Sequence, residues 1–171
     1  MLLFVLALPA AAQTDQLDAL FDRLKEADPA SAQRIEGEIW TEWSKSGSAA
    51  MDLLLQRGKD AMAAGDFPAA IEHLTALTDH APDFAEGFNA RATAYFQAGQ
   101  LGPSIEDIAR TLTLNPRHFG ALSGLGMIFE DLGRPEKALE VYKAALAIHP
   151  HLPGVLDAVQ RLETETGGRN L

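Results

Sequence analysis

RHFGALSGLGMIFEDLGRPEKALEVYKAALAIHP, residues 117–150, decides the fold. Leu122, Leu125 and Phe129 recur at i, i+3 and i+7, the spacing of one face of an α-helix. Gly133 breaks that pattern, and a glycine there ends a helix in the left-handed conformation that other residues avoid. Pro135 opens a second stretch, where its fixed φ and missing donor suit a first helical turn. Ala138, Tyr142 and Ala145 mark the apolar face of this second helix, and Pro150 stops it. The 34 residues therefore predict two helices packed as a hairpin.

The same register recurs twice upstream. Pro82, Pro116 and Pro150 lie 34 residues apart, as do Gly65, Gly99 and Gly133. Ala70, Ser104 and Ala138 keep a small residue in each second helix, and Leu74, Ile108 and Tyr142 a bulky one, expected to fill the seams between units. In the first helices Leu54, Phe88 and Leu122 align, as do Gly58, Ala92 and Gly126. Small residues at facing positions let paired helices approach closely. Second helices are expected over 68–80, 103–114 and 135–148.

This pattern resembles the tetratricopeptide repeat family, whose 34-residue unit has a small residue in each helix, an aromatic in the first and a closing proline. The resemblance covers residues 49–150 in three units of about 49–82, 83–116 and 117–150, and the stretch 115–122 is similar to exported bacterial members. Departures occur at Arg57 and Ala61 in the first unit and at Arg91 and Thr111 in the second. The fold class implied is an all-α helical-hairpin solenoid, with a helical pair before it and a capping helix after it. The resemblance also implies a concave groove lined by the first helices. Carried over, its candidate partner-binding residues are Leu55, Lys59 and Met62, then Asn89, Thr93 and Phe96, then Ser123, Met127 and Glu130. Asp52, Glu86 and Gly120 begin the same faces. Chaperone-binding members hold a C-terminal carboxylate with Lys, Asn and Arg. The corresponding places here carry Leu55, Lys59, Ala90, Gly120 and Gly124, so that clamp is not expected.

A solenoid must cover its terminal hydrophobic faces. Leu152, Val155, Leu156, Val159 and Leu162 form the stripe of a capping helix over 151–166, and Gln160 and Glu163 prevent a further unit from docking. Residues 167–171 are expected as a disordered tail. At the other end, residues 13–47 carry two helical stripes, Leu17, Leu20, Phe21 and Leu24, then Ile35, Ile39, Trp40 and Trp43. Shifting the register back by 34 puts Leu24 and Glu36 on the small positions, so the segment is either a degenerate repeat or an independent hairpin. Trp40 and Trp43 are read either as core aromatics or as a hydrophobic anchor for a partner, since tryptophan is enriched at binding hot spots. Likewise the groove strip of Leu55, Met62, Phe96 and Met127 either faces a partner or is covered by the N-terminal helices.

Residues 1–12 (MLLFVLALPAAA) form an apolar run, a proline and small residues, the pattern of an export signal without its usual basic start. The run is too short to span a bilayer, and no membrane span is expected in the mature chain. A net charge of -10 argues against nucleic acid, whose phosphates an acidic surface repels. The absence of cysteine removes disulfides, thiolate metal sites and a lipid-modified cysteine. No nucleophile motif, phosphate loop or metal-ligand spacing occurs, so catalysis, metals and cofactors are not expected. Glu130 and Asp131 are read as a solvated face and the histidines around Pro150 as loop residues, the enzymatic alternative being an unrecognised hydrolase or metal site using His118 or the His149/His151 pair. The expectation is a non-enzymatic scaffold of the bacterial periplasm that binds a protein, peptide or helix in its groove. The alternative is a structural module for homo-oligomeric self-association.

Overall fold

The computed structural model describes residues 10–168, with side chains from 15 to 167. Residues 1–9 of the export-like segment and 169–171 of the tail lie outside the described residues. Within them the chain is nine helices and no strand: α1 (Ala10–Glu26), α2 (Pro29–Trp43), α3 (Ala49–Ala63), α4 (Phe67–His80), α5 (Ala85–Gln97), α6 (Leu101–Leu114), α7 (Phe119–Asp131), α8 (Pro135–Ile148) and α9 (Pro153–Gly168). The three second helices are α4, α6 and α8. α6 starts two residues before Pro103, which it accommodates in its first turn. α9 begins at Pro153 and continues through Gly167 and Gly168, so these two glycines are helical and the capping helix lies two residues later than the sequence predicts.

The punctuation of the repeats is backbone geometry. Gly65, Gly99 and Gly133 have φ of 75°, 73° and 64°, each just beyond a first helix, and Gly47 has φ 81° in the link before α3. Aspartates cap α2 and α4: Asp28 accepts from the N–H groups of Ala30 and Ser31, and Asp66 from that of Ala69. These bonds satisfy donors that the first helical turn leaves open.

Inside each hairpin the small positions receive the bulky ones. An ideal Cβ on Gly58 would lie 2.5 Å from Leu74, and one on Gly126 would overlap the ring of Tyr142. Leu74 and Tyr142 therefore fill the interior of their own hairpins as well as the seams, with Tyr142 also reaching the Val155, Ala158 and Leu162 face of α9. Successive apolar layers run from α3–α5 through α5–α7 to α8–α9.

The middle repeat replaces part of this apolar seam with a satisfied polar one. Arg91 grips Asp107 through two bonds of 2.7 and 2.8 Å, and its remaining nitrogen donates to Thr78 at 2.7 Å and Thr75 at 3.3 Å. Thr111, wholly buried, donates to the Asp107 carbonyl at 2.8 Å. The departures at 91 and 111 are thus members of one network. A two-pronged arginine–carboxylate pair with its other donors satisfied is stable where a lone buried charge is not.

The N-terminal pair α1–α2 does not stack its backbone on α3 and α4 as a fourth repeat would. It has its own core of Leu20, Phe21, Leu24, Ala32, Ile35, Ile39 and Trp43, to which the repeats contribute buried Phe119. This hairpin lies across the concave side.

Candidate functional site

The concave side is built from α3, α5 and α7, and the hairpin divides it lengthwise. Its covered rim is formed by the beginnings of those helices. Asp52 accepts from the N–H and hydroxyl of Ser46 at 2.8 and 2.6 Å. Glu86 lies under Lys59 and His118, and Gly120 lies under Trp40. An ideal Cβ on Gly120 would be 2.6 Å from the indole of Trp40, so the absence of a side chain there admits the ring. Trp43, 8% exposed, stacks on the His118 imidazole at 4.2 Å and 17° and packs against Phe119.

Two buried histidines complete this contact. The Nδ1 of His118 accepts the backbone N–H of Ala121 at 3.1 Å, capping α7. That leaves the ring proton of the neutral form on Nε2, 3.3 Å from the Glu86 carboxylate. Lys59 approaches the other Glu86 oxygen at 2.9 Å. Burial pushes the Glu86 carboxyl up, but the His118 bond and the Lys59 charge outweigh it and hold the group below its ordinary range. His149 repeats the arrangement between distant parts of the chain. Its Nδ1 accepts from the N–H of His151 at 3.2 Å, and its Nε2 lies 3.2 Å from Glu36 on α2. The bond from His149 is also the main reason that the Glu36 carboxyl lies below its ordinary range, with Trp40 donating to its second oxygen at 3.2 Å. Both nitrogens of each ring are engaged, so neither histidine is placed as a free general base. No group of three or more metal-ligating side chains occurs among the described residues.

The opposite rim is open. Between α5 and α7 a cavity of about 280 Å³ is walled by Asn89, Thr93, Phe96, Ser123 and Met127 over a floor that includes Ala92, Ile108 and Ile128. Past Ser123 and Met127 it continues into a cavity of about 490 Å³ bounded by Trp40, Tyr142, Val155 and Ala158. Met127, 48% exposed, stands between the two. Glu130 is at the end of this cleft, where it accepts from the Tyr142 hydroxyl at 2.8 Å and pairs with Arg161 at 2.6 Å. Burial and this carboxylate together push the Tyr142 phenol up.

Of the nine groove positions, the structure gathers Asn89, Thr93, Phe96, Ser123 and Met127 around one cavity and puts Glu130 beside it. Leu55, 3% exposed, and Lys59 instead lie near α2, in a separate depression that Trp40 also lines. Met62 is half-buried against the α3–α5 layer. Trp40 and Trp43, read as core aromatics or as an anchor for a partner, are engaged within the chain. Glu130 is tied to Tyr142 and Arg161 rather than standing as a solvated charge. Sequence reasoning read His149 as a loop residue and named His118 only in the enzymatic or metal alternative. Both are fully buried, and their only signal was proximity to the closing prolines.

A family model described as tetratricopeptide repeat matches residues 55–102 and 89–153. A TPR repeat-containing protein of Rhizobium etli is 41% identical over 136 residues, covering 79% of this chain and 67% of the relative. The small glutamine-rich tetratricopeptide repeat-containing protein 2 of Saccharomyces cerevisiae is 31% identical over 117 residues; the match covers 68% of this chain and 34% of that protein, so the chain spans about a third of its length. Among solved structures, the first TPR of Spaghetti bound to an HSP90 peptide aligns with a TM-score of 0.67 at 22% identity, over 70% of this chain and 98% of that one. MamA aligns with a TM-score of 0.64 at 22% identity, over 94% of this chain and 86% of that one. At such identities the structural likeness speaks for the fold alone. With the glycine-capped 34-residue hairpins and the match over 55–153, the chain belongs to the tetratricopeptide repeat family.

Proposed function

We propose that the protein is a non-enzymatic interaction scaffold that receives a peptide or helix along the open rim of its concave face. The observation that carries this reading is the continuous apolar cleft from Phe96 past Met127 to Val155, with Met127 half in solvent at its centre. Exposed apolar surface of this kind marks interaction sites, and a methionine adapts to the shape of what it meets. The solved Spaghetti repeat holds a peptide, which supports a similar use of this groove. The chemistry differs, because Lys59 is already neutralised by Glu86 and no second cation stands at the clamp positions. The ligand is therefore bound through apolar side chains rather than a terminal carboxylate.

The experiment is affinity capture from native extract with the full chain as bait, followed by identification of what is retained. Phe96→Ala with Met127→Ala is expected to lose the captured partner while the far-ultraviolet spectrum stays helical. Undiminished capture by that double variant sinks the groove reading. We further propose export to the periplasm, on the signal-like pattern of residues 1–12. A fusion of this segment to alkaline phosphatase that stays inactive in a Gram-negative host overturns that part alone.

A further inference from the structure

We propose that the α1–α2 hairpin is a displaceable pseudo-ligand, and that the partner is a helix carrying the pattern α2 presents to the groove: a carboxylate, then aromatics four and seven residues later. This rests on the groove reading above and names the partner class for the same concave face. Glu36, Trp40 and Trp43 lie on one face of α2 at those offsets, and each has a prepared seat on the repeats. Glu36 meets the Nε2 of His149 at 3.2 Å. Trp40 lies over Gly120, where any side chain would collide with it. Trp43 stacks on His118, which is locked in orientation by Ala121 and Glu86.

Three features make the hairpin separable from the surface that it covers. Its buried core is almost entirely its own, with Phe119 the buried contribution from the repeats. The link to α3 is residues 44–48, which include Gly47 in the left-handed conformation. Its remaining ties are side-chain contacts at the periphery, such as Asp18 to Arg117 at 2.5 Å and the Phe21 ring under the same guanidinium at 4.3 Å. The hairpin can therefore leave as a unit, keeping its internal packing. The cleft past Met127 borders Trp40 directly, so a ligand entering along the open rim meets the hairpin edge first. A tethered segment competes at an effective concentration on the order of millimolar, so the covered seats are available only to a ligand that outcompetes it.

The test uses a fluorescein-labelled peptide of residues 13–47 added to the full chain, with anisotropy as the readout. The chain has no cysteine, so Asp18→Cys with Arg117→Cys can be bridged uniquely by a reducible bismaleimide that pins the hairpin. The unpinned chain is expected to bind the peptide, the pinned chain to lose binding, and reduction to restore it. Peptide carrying Glu36→Ala, Trp40→Ala and Trp43→Ala is expected not to bind. The full chain with Trp40→Ala and Trp43→Ala is expected to bind the unmodified peptide at least about tenfold more tightly than wild type, because its own competitor is disabled. Equal binding before and after pinning overturns the proposal, as does equal binding of the substituted peptide. Should the tryptophan variant misfold, the pinned and reduced forms decide the matter, since both keep the native tryptophans. A chain that loses its captured partner on Phe96→Ala with Met127→Ala, yet binds peptide equally when pinned or free, keeps the scaffold function and loses this inference.

Discussion

The seam inside a repeat and the seam between the hairpin and the groove are both apolar, yet they are made in different ways. Inside the third repeat, α7 and α8 meet because Gly126 leaves room for Tyr142 sixteen residues on in a continuous hairpin, and the same arrangement of Gly58 and Leu74 recurs in the first. Across the groove, Trp43 meets His118 and Glu36 meets His149, joining parts of the chain more than seventy residues apart without any repeat relating them. Repeat stability is carried by neighbour-to-neighbour packing and propagates along the array. The hairpin contact belongs to no such series, so it can be lost without unravelling the rest.

Trp43→Ala is expected to have the largest effect on the hairpin seam. Removing a buried tryptophan costs about 3 to 5 kcal/mol in protein cores. Here that exceeds what the few remaining seats hold, so α1 and α2 are expected to detach while α3 to α9 persist. Trp40 becomes the single indole, and its emission should shift to that of a solvated ring. Protease should then cut within the hairpin and spare the repeats. Cooperative loss of all helix content in one transition would show that the two seams are one unit.

Gly126→Val tests the other seam. Its Cβ overlaps the Tyr142 ring, which cannot swing away without vacating the layer against α9. Overpacking of this kind costs about 1 to 3 kcal/mol, and urea unfolding of the repeats should record it. Gly58→Val is expected to cost less, since the end of Leu74 can move by rotation where a ring cannot. Asp107→Ala should follow at about 2 kcal/mol, because it strands Arg91 among Thr75, Thr78 and the helix interior. Replacing Arg91 and Asp107 together by leucine should recover most of that loss, since an apolar pair substitutes well for a buried ion pair.

These differences also explain what was legible in the sequence. The glycines at 65, 99 and 133 announce themselves because a positive φ at fixed spacing is a local requirement that each repeat must meet alone. Groove positions such as Phe96 and Met127 are implied by the family resemblance, and five of the nine line one cavity. Arg91 and Thr111 look like faults one at a time, since the partner that makes sense of Arg91, Asp107, lies on the next helix. The crossing of the hairpin was not legible. Nothing periodic links Asp18 to Arg117 or Glu36 to His149, and only the poor fit of Leu24 and Glu36 to the repeat register hinted that residues 13–47 would not stack as a fourth unit.

The smallest effect expected is a change with pH confined to the hairpin contact. The Glu36 carboxyl lies below its ordinary 4.5 in the folded chain because His149 and Trp40 donate to its charged form. A group whose folded value is depressed is protonated more readily in the detached state. Its contribution is therefore fully present above pH 4.5 and is lost as pH falls through the folded value. Glu86 is also held down, but by His118 and Lys59, which lie on the repeats and stay with it when the hairpin leaves, so the acid dependence of the contact rests on Glu36. Acidification should accordingly loosen the hairpin, and the emission of Trp40 and Trp43 should follow it. Glu36→Gln keeps the shape but removes the charge, so it should weaken the contact at neutral pH and flatten part of its acid dependence. An unchanged acid transition in Glu36→Gln would show that the Glu36–His149 pair is not what couples the hairpin to pH.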